Sequence, residues 1–481
     1  MRKNIGTQDD ALTGLDFLTL VYLLVPWIVF ALSWLSIFPS LFIIGLVLTV
    51  LVFELLRIKE AGSPTAFQSA LSLIVLCLWL GCAGVGGLGA QEHDWIKHNF
   101  FLSELSSSKL PPCYHYGQGK EGEYFSLSYS IGYYLPASLI GRYFGWFWAN
   151  AALLAWTAAG VFLAFLQLFK MLPNARWSIL LFPLLGGLDV IGKWLMTGSI
   201  DWNHSMEWWT KYQYSGNTTL LYWVPQHALP AWLATPLILK AAEEKRSNGY
   251  SLLIVGAAAL WSAFVMIGLT ALAALAALRT RGRGALCYAS FVGITLLCVM
   301  AVYLSSNLRD FPIQIQELSS LAAWKQWALF CVLEFGVYAL LLMPQMRELR
   351  MWLMAAAAVL LLLPVMRIGI HNDLVMRASI PYLYIIWILV LRELAKGGRR
   401  WPERLRRLFL GTVIFIGTFG SIGQIRKSSG KFMTFSLPEY RAAYKGELNE
   451  PLITQAGLGN YLADPDTVFF RYLSYLDCPP E

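Results

Sequence analysis

Two acids, two histidines and a lysine crowd one short stretch, Gln91–Asn99, which reads QEHDWIKHN. Asp94, Lys97 and His98 stand at i, i+3 and i+4, so a helix there aligns them on one face. A carboxylate with cations beside it can orient a hydroxyl group or take its proton, and Glu92 is a second acid within reach. A later loop, residues 197–224, offers Asp201, His204, Glu207 and Trp208. It runs into Pro225, Gln226 and His227. Proline suits the first turn of a helix, which puts His227 where free backbone N–H groups favour anions. A third stretch, RIGIHNDLVMR, carries Arg367, His371, Asn372, Asp373 and Arg377. Arginine grips phosphate with a planar fork that lysine cannot copy. Trp208, Trp209 and Trp223 suit either sugar stacking or an interfacial aromatic belt. Asp189 and Lys193 stand at i, i+4 and are expected to neutralise each other. Glu92, Asp94, Asp201, Glu207 and His227 include the oxygen and imidazole ligands of a divalent cation such as Mg or Mn, but no spacing fixes a site.

Elements that hold such groups must come from an apolar chain. Of 481 residues 57% are hydrophobic and only 14% charged, about half the charge of a soluble protein, and the mean hydropathy is +0.54. Apolar runs recur near the roughly 20 residues needed to cross a bilayer. The expected fold is all-α, a polytopic bundle of about 11–13 spans whose outer loops carry short interfacial helices. The formal charge of +8 does not suggest nucleic acid, because the basic residues gather in short connections between apolar runs. The clearest is RELAKGGRRWPERLRR, with seven basic residues against two acidic.

Counting those basic loops as cytoplasmic puts the N-terminus inside. It puts loops 91–146, 197–224, 305–321 and 367–377 outside, together with a C-terminal tail over 426–481. The first apolar run is read as a retained span. Residues 251–278 have basic loops at both ends. A re-entrant hairpin bending near Trp261–Ser262 keeps both inside. Tyr129–Phe144, aromatic and interrupted by Gly and Pro, reads as an interfacial or re-entrant helix. Cys113 and Cys478 both fall outside and are candidates for a disulfide.

No GxSxG, HExxH, Walker loop or dinucleotide fingerprint occurs, so chemistry must come from ionisable groups where spans meet outer loops. In EHDWIKHN at the end of an outward span, and in HNDLVMRASIP with Arg377, the chain resembles the GT-C superfamily of integral-membrane glycosyltransferases. The resemblance implies a sugar donor linked to polyprenyl phosphate and a glycan, lipid or protein acceptor. It implies Asp94 as base, with Glu92 in support, and Arg377, Arg367 and His227 on the donor phosphate. Lys97, His98, Glu207, Trp208, Gln226, Asn372 and Asp373 are the expected substrate contacts. The expected setting is a bacterial inner membrane with the site on the extracytoplasmic side. A transporter or flippase of a lipid-linked or amphipathic solute is the alternative.

Overall fold

The computed structural model describes residues 11–60, 64–116, 123–200, 202, 205–244, 248–280, 287–308, 313–316, 318–345, 349–369, 372–396, 401–432 and 461–476. Asp201, His204, His371 and Cys478 lie outside these residues. The protein is an all-α polytopic bundle. Among the described residues, seven helices are long and apolar enough to cross a membrane, and five shorter apolar helices accompany them.

A first hairpin joins α1 (Gly14–Trp34) to α2 (Ile37–Leu55). Thr13 starts α1 with a capping box to Asp16, which satisfies two of the helix's orphan donors. Next come α3 (Ala66–Leu80) and α4 (Trp95–Ser107). Two short strands follow, β1 (Tyr114–Tyr116) and β2 (Glu123–Leu127). Then α5 (Leu135–Phe144) lies before the long α6 (Trp146–Met171). The α5 helix is amphipathic, with Leu139, Ile140, Tyr143 and Phe144 exposed, as expected of a helix lying in an interface.

The next span is broken. The short α7 (Ser178–Leu181) ends in a 3₁₀ turn, the chain unwinds through Leu185–Leu188, and α8 (Asp189–Thr197) resumes. A loop then leads to α9 (Asn217–Trp223) and to α10 (Pro225–Glu243), which is buried along nearly its whole length.

The expected hairpin is present as α11 (Asn248–Ala259) and α12 (Ala263–Thr280). Its tip rests on α1, where the Trp261 indole N–H donates to the Leu23 carbonyl at 3.0 Å. Arg279, at the far end of α12, lies beside Glu243 at the end of α10. Both open ends of the hairpin therefore face the same way.

The remainder comprises α13 (Tyr288–Leu304), β3 (Gln314–Ile315), α14 (Leu321–Cys331), a π-helical turn at Val332–Gly336, α15 (Val337–Leu342), α16 (Arg350–Leu362), β4 (Met366–Arg367), α17 (Asp373–Ala378), α18 (Ile380–Ala395), α19 (Trp401–Phe432) and β5 (Leu462–Ala463). The strands form two small antiparallel patches, β1-β2-β5 and β3-β4. α19 runs on to Phe432 rather than ending near residue 425. Gln424 and Lys427, on adjacent turns of it, both bind Glu92.

The bundle has two chemically different ends. At one, Asp16 is fully buried, accepts from Lys170 at 3.0 Å and pairs with Lys240. Lys59 reaches Glu244 beside them at 3.5 Å. At the other end lie Asp94, Lys97 and Lys427. The two are joined by α6, which is 26 residues long and so about 39 Å in length.

Candidate functional site

The coil Gly81–Ala90 carries the chain from α3 to the Asp94 end. Gly84 and Gly86 adopt φ of +74° and +68°, a region that side chains disfavour. A Cβ on Gly84 would lie 2.5 Å from the Ala90 carbonyl oxygen, and one on Gly86 would lie 2.5 Å from that of Asn150. Gln91 rivets the coil by donating to the Gly84 carbonyl at 2.8 Å while accepting from Asn99 at 2.6 Å. The Trp95 indole donates to the Tyr222 carbonyl at 2.7 Å. Trp95, next to Asp94, is thereby tied to α9.

Asp94 occupies the N-cap of α4. Its carboxylate meets Lys97 at 3.2 Å, as helical spacing predicts. Burial alone would raise its pKa, but Lys97, His98 and Arg377 lie close enough to outweigh this and hold it below the ordinary value. It is a stable carboxylate at neutral pH.

His98 has no free nitrogen. Nε2 lies 2.7 Å from the Trp223 carbonyl, and Nδ1 lies 2.5 Å from the Tyr134 hydroxyl. A carbonyl can only accept, so Nε2 carries the hydrogen and Tyr134 donates to Nδ1. Burial pushes His98 down to about 4, against partial compensation from Trp223 and Asp94. It is a neutral latch joining α4 to the end of α9 and the start of α5, and makes no room for a substrate contact.

His227 does lie in the first turn of α10. Its Nδ1 is 2.6 Å from the Ser262 hydroxyl at the hairpin tip. The Ser262 oxygen also accepts from the Val265 N–H and, with one hydrogen and two lone pairs, can either donate to His227 or accept from it. Nε2, on a ring only 3% exposed, has no partner among the described residues and carries the ring hydrogen when Ser262 donates. Arg377 pairs with Asp373 through one terminal nitrogen, while its Nε is also buried and unpartnered. Tyr129 lies beside Gln226 and is influenced by Arg377 and Lys97. Gln226 itself is buried, with its side-chain oxygen unpartnered. Asp94, Lys97, Arg377, His227, Gln226 and Tyr129 thus form one group, contributed by α4, α17, α10 and the segment before α5.

Other expected residues go elsewhere. Glu92 turns to α19, accepting from Lys427 at 2.8 Å and Gln424 at 2.9 Å. Lys427 also sits over the Trp223 ring at 5.3 Å, and the exposed Trp208 ring lies 6.1 Å from Trp223. Glu207 is consumed within its own loop. It accepts from the Gly216 N–H at 2.9 Å and from Gln213 at 3.0 Å, and burial with Asp189 nearby raises it to about 7. Arg367 pairs in β4 opposite Gln314 and donates to the Gly369 carbonyl. Asn372 makes a turn, with φ of 58° and its side-chain oxygen accepting from the Ile368 N–H. The Asp189–Lys193 pairing is corrected. Asp189 begins α8 and faces Glu334 across the bundle, with the Trp209 indole donating to both carboxyl groups at 3.3 and 3.4 Å. Cys113 is disulfide-bonded, and its expected partner Cys478 lies outside the described residues.

Tyr129, Gln424, Lys427, Glu334 and Tyr461 were not anticipated from the sequence. Glu334 had a visible signal, an acid in the middle of the apolar run CVLEFGVYALLL. Tyr461 had none. It returns from the C-terminal segment to pack edge-to-face on Tyr129 and Phe101, with ring centroids 4.6 and 5.4 Å apart.

No protein-family model, curated protein or solved structure matches the chain. Among the described residues, no three His, Cys, Asp or Glu side chains gather as a metal site.

Proposed function

We propose that the chain is a membrane glycosyltransferase that moves a sugar from a polyprenyl-phosphate-linked donor to an extracytoplasmic glycan, lipid or protein acceptor. One observation carries the reading. An ionised carboxylate, Asp94, shares its site with Lys97, Arg377 and His227, two of which have buried nitrogen atoms without partners among the described residues. Such atoms are costly to leave unsatisfied, and a phosphate would satisfy them. The site lies at the bundle end remote from the basic loops, the outer end by the positive-inside rule.

In this mechanism Asp94 orients the acceptor hydroxyl and accepts its proton. The hydroxyl oxygen attacks the anomeric carbon, forming the new glycosidic bond. The bond from that carbon to the donor oxygen breaks, and its electron pair leaves with the lipid phosphate. Arg377, Lys97 and the His227 N–H stabilise that departing charge. Asp94 is well suited to orientation and to supporting positive charge on the sugar, because its neighbours keep it ionised.

The test is purified protein supplied with a panel of polyprenyl-phosphate sugars, wild type against Asp94→Asn. Transfer or donor hydrolysis by the wild type, lost by a factor of about 10²–10⁴ in the variant with an unchanged melting temperature, supports the reading. Equal turnover by both removes Asp94 from it.

Asp189 and Glu334 favour a second reading, a transporter or flippase. They are acids within membrane-length helices, where ionisable groups are functional candidates. Uptake of a lipid-linked solute into proteoliposomes, abolished by Glu334→Gln and indifferent to Asp94→Asn, would decide for it.

A further inference from the structure

The C-terminal segment is anchored across the Asp94 end of the bundle. β5 pairs with β2, Ser126 opposite Ala463 and Leu127 opposite Leu462. The Leu308 N–H donates to the Leu462 carbonyl, and the Ser36 N–H to that of Leu473. Phe469 is fully buried against Phe30 and Tyr303. This fixes Tyr461, whose carbonyl accepts from the Ser128 N–H at 2.8 Å. Its ring crosses Tyr129 at 70° and Phe101 at 84°. The phenol sits in the electrostatic reach of Arg377, Asp373 and Asp94. Among the described residues no group accepts a hydrogen bond from it, yet packing has fixed its direction. Burial and the two acids push it up to about 12, so the hydroxyl keeps its hydrogen at any physiological pH.

We propose that Tyr461 is a ligand-binding residue of the Asp94 site, donating its phenol hydrogen to the same phosphate oxygens that Arg377 and His227 hold. The proposal rests on the lipid-phosphate reading above and adds its own contributor, a residue 84 positions beyond Arg377 (461 minus 377). Its physical content is that the membrane helices alone present an incomplete set of donors. The docked tail supplies a neutral donor held by edge-to-face ring packing rather than by an ion pair.

The experiment measures binding of polyprenyl phosphate to the full chain in detergent, for wild type, Tyr461→Phe and Tyr475→Phe. Tyr461→Phe keeps the ring and its packing on Tyr129 and Phe101, so its melting temperature should match the wild type. Tyr475 donates to the Ser33 carbonyl at 3.0 Å and is 43% exposed, so its variant loosens a tail contact without touching the site. The expected result is binding weakened about tenfold or more by Tyr461→Phe, the size of one hydrogen bond to a charged group, and unchanged by Tyr475→Phe. Wild-type binding with Tyr461→Phe equal to it overturns the role of Tyr461 and leaves the functional reading standing. Equal weakening by both variants also overturns it, since the effect then belongs to tail docking. No binding by the wild type overturns both.

Discussion

Replacing His98 tests the site's scaffold with a magnitude that follows from its geometry. The ring is 3% exposed and uses both nitrogens. His98→Ala strands the Trp223 carbonyl and the Tyr134 hydroxyl, each costing about 1–3 kcal/mol when buried without a partner. His98→Gln can still donate to one and accept from the other, but it cannot titrate. That difference isolates the pH term. In the folded protein His98 sits at about 4, against an ordinary 6.5. Between those values the unfolded chain takes up a proton that the folded protein refuses. Stability from this source is therefore whole above pH 6.5 and drains away as pH falls towards 4. At about 1.36 kcal/mol per pH unit the full loss is about 3 kcal/mol. Thermal melts in detergent from pH 7.5 to 4 should show this decline in the wild type and lose it in His98→Gln. If the glutamine variant declines in parallel with the wild type, His98 is not held neutral and the latch is misread.

Glu207 predicts the opposite sign. Its carboxyl is raised to about 7 from 4.5, so its contribution is full below pH 4.5 and is lost as pH rises through 7. Glu207→Gln should flatten the melting temperature over that window. Gly84→Ala forces a side chain into positive φ and against a backbone carbonyl 2.5 Å away. It should cost about 1–3 kcal/mol in a melt and displace Asp94 enough to abolish turnover.

Local signals in the sequence were legible where the controlling contact is local. The i, i+3 spacing of Asp94 and Lys97 became a 3.2 Å pair, and Pro225 set the start of the helix that carries His227. The hairpin at Trp261–Ser262 followed from basic loops at both ends of a run too long for one crossing and short for two. What escaped was set by distant partners. Glu92 reads as a neighbour of Asp94, but its charge is met by Lys427, 335 residues on. Asp189 reads as the partner of Lys193. The chain unwinds just before α8, and Asp189 faces Glu334 instead. Tyr461 gains its place through the docking of the C-terminal segment on distant elements, which a two-residue strand does not announce.

The α11–α12 hairpin also constrains the order in which the protein is built. Its tip exposes backbone groups that a bilayer cannot satisfy. Gly132 donates to the Leu260 carbonyl, Ser130 accepts from the Ala263 N–H, and Trp27 of α1 donates to the carbonyls of Gly256 and Ala257. Every one of these partners is synthesised before the hairpin itself. In chain order, Ser262 therefore follows its partner His227 and all of α1, α5 and α10.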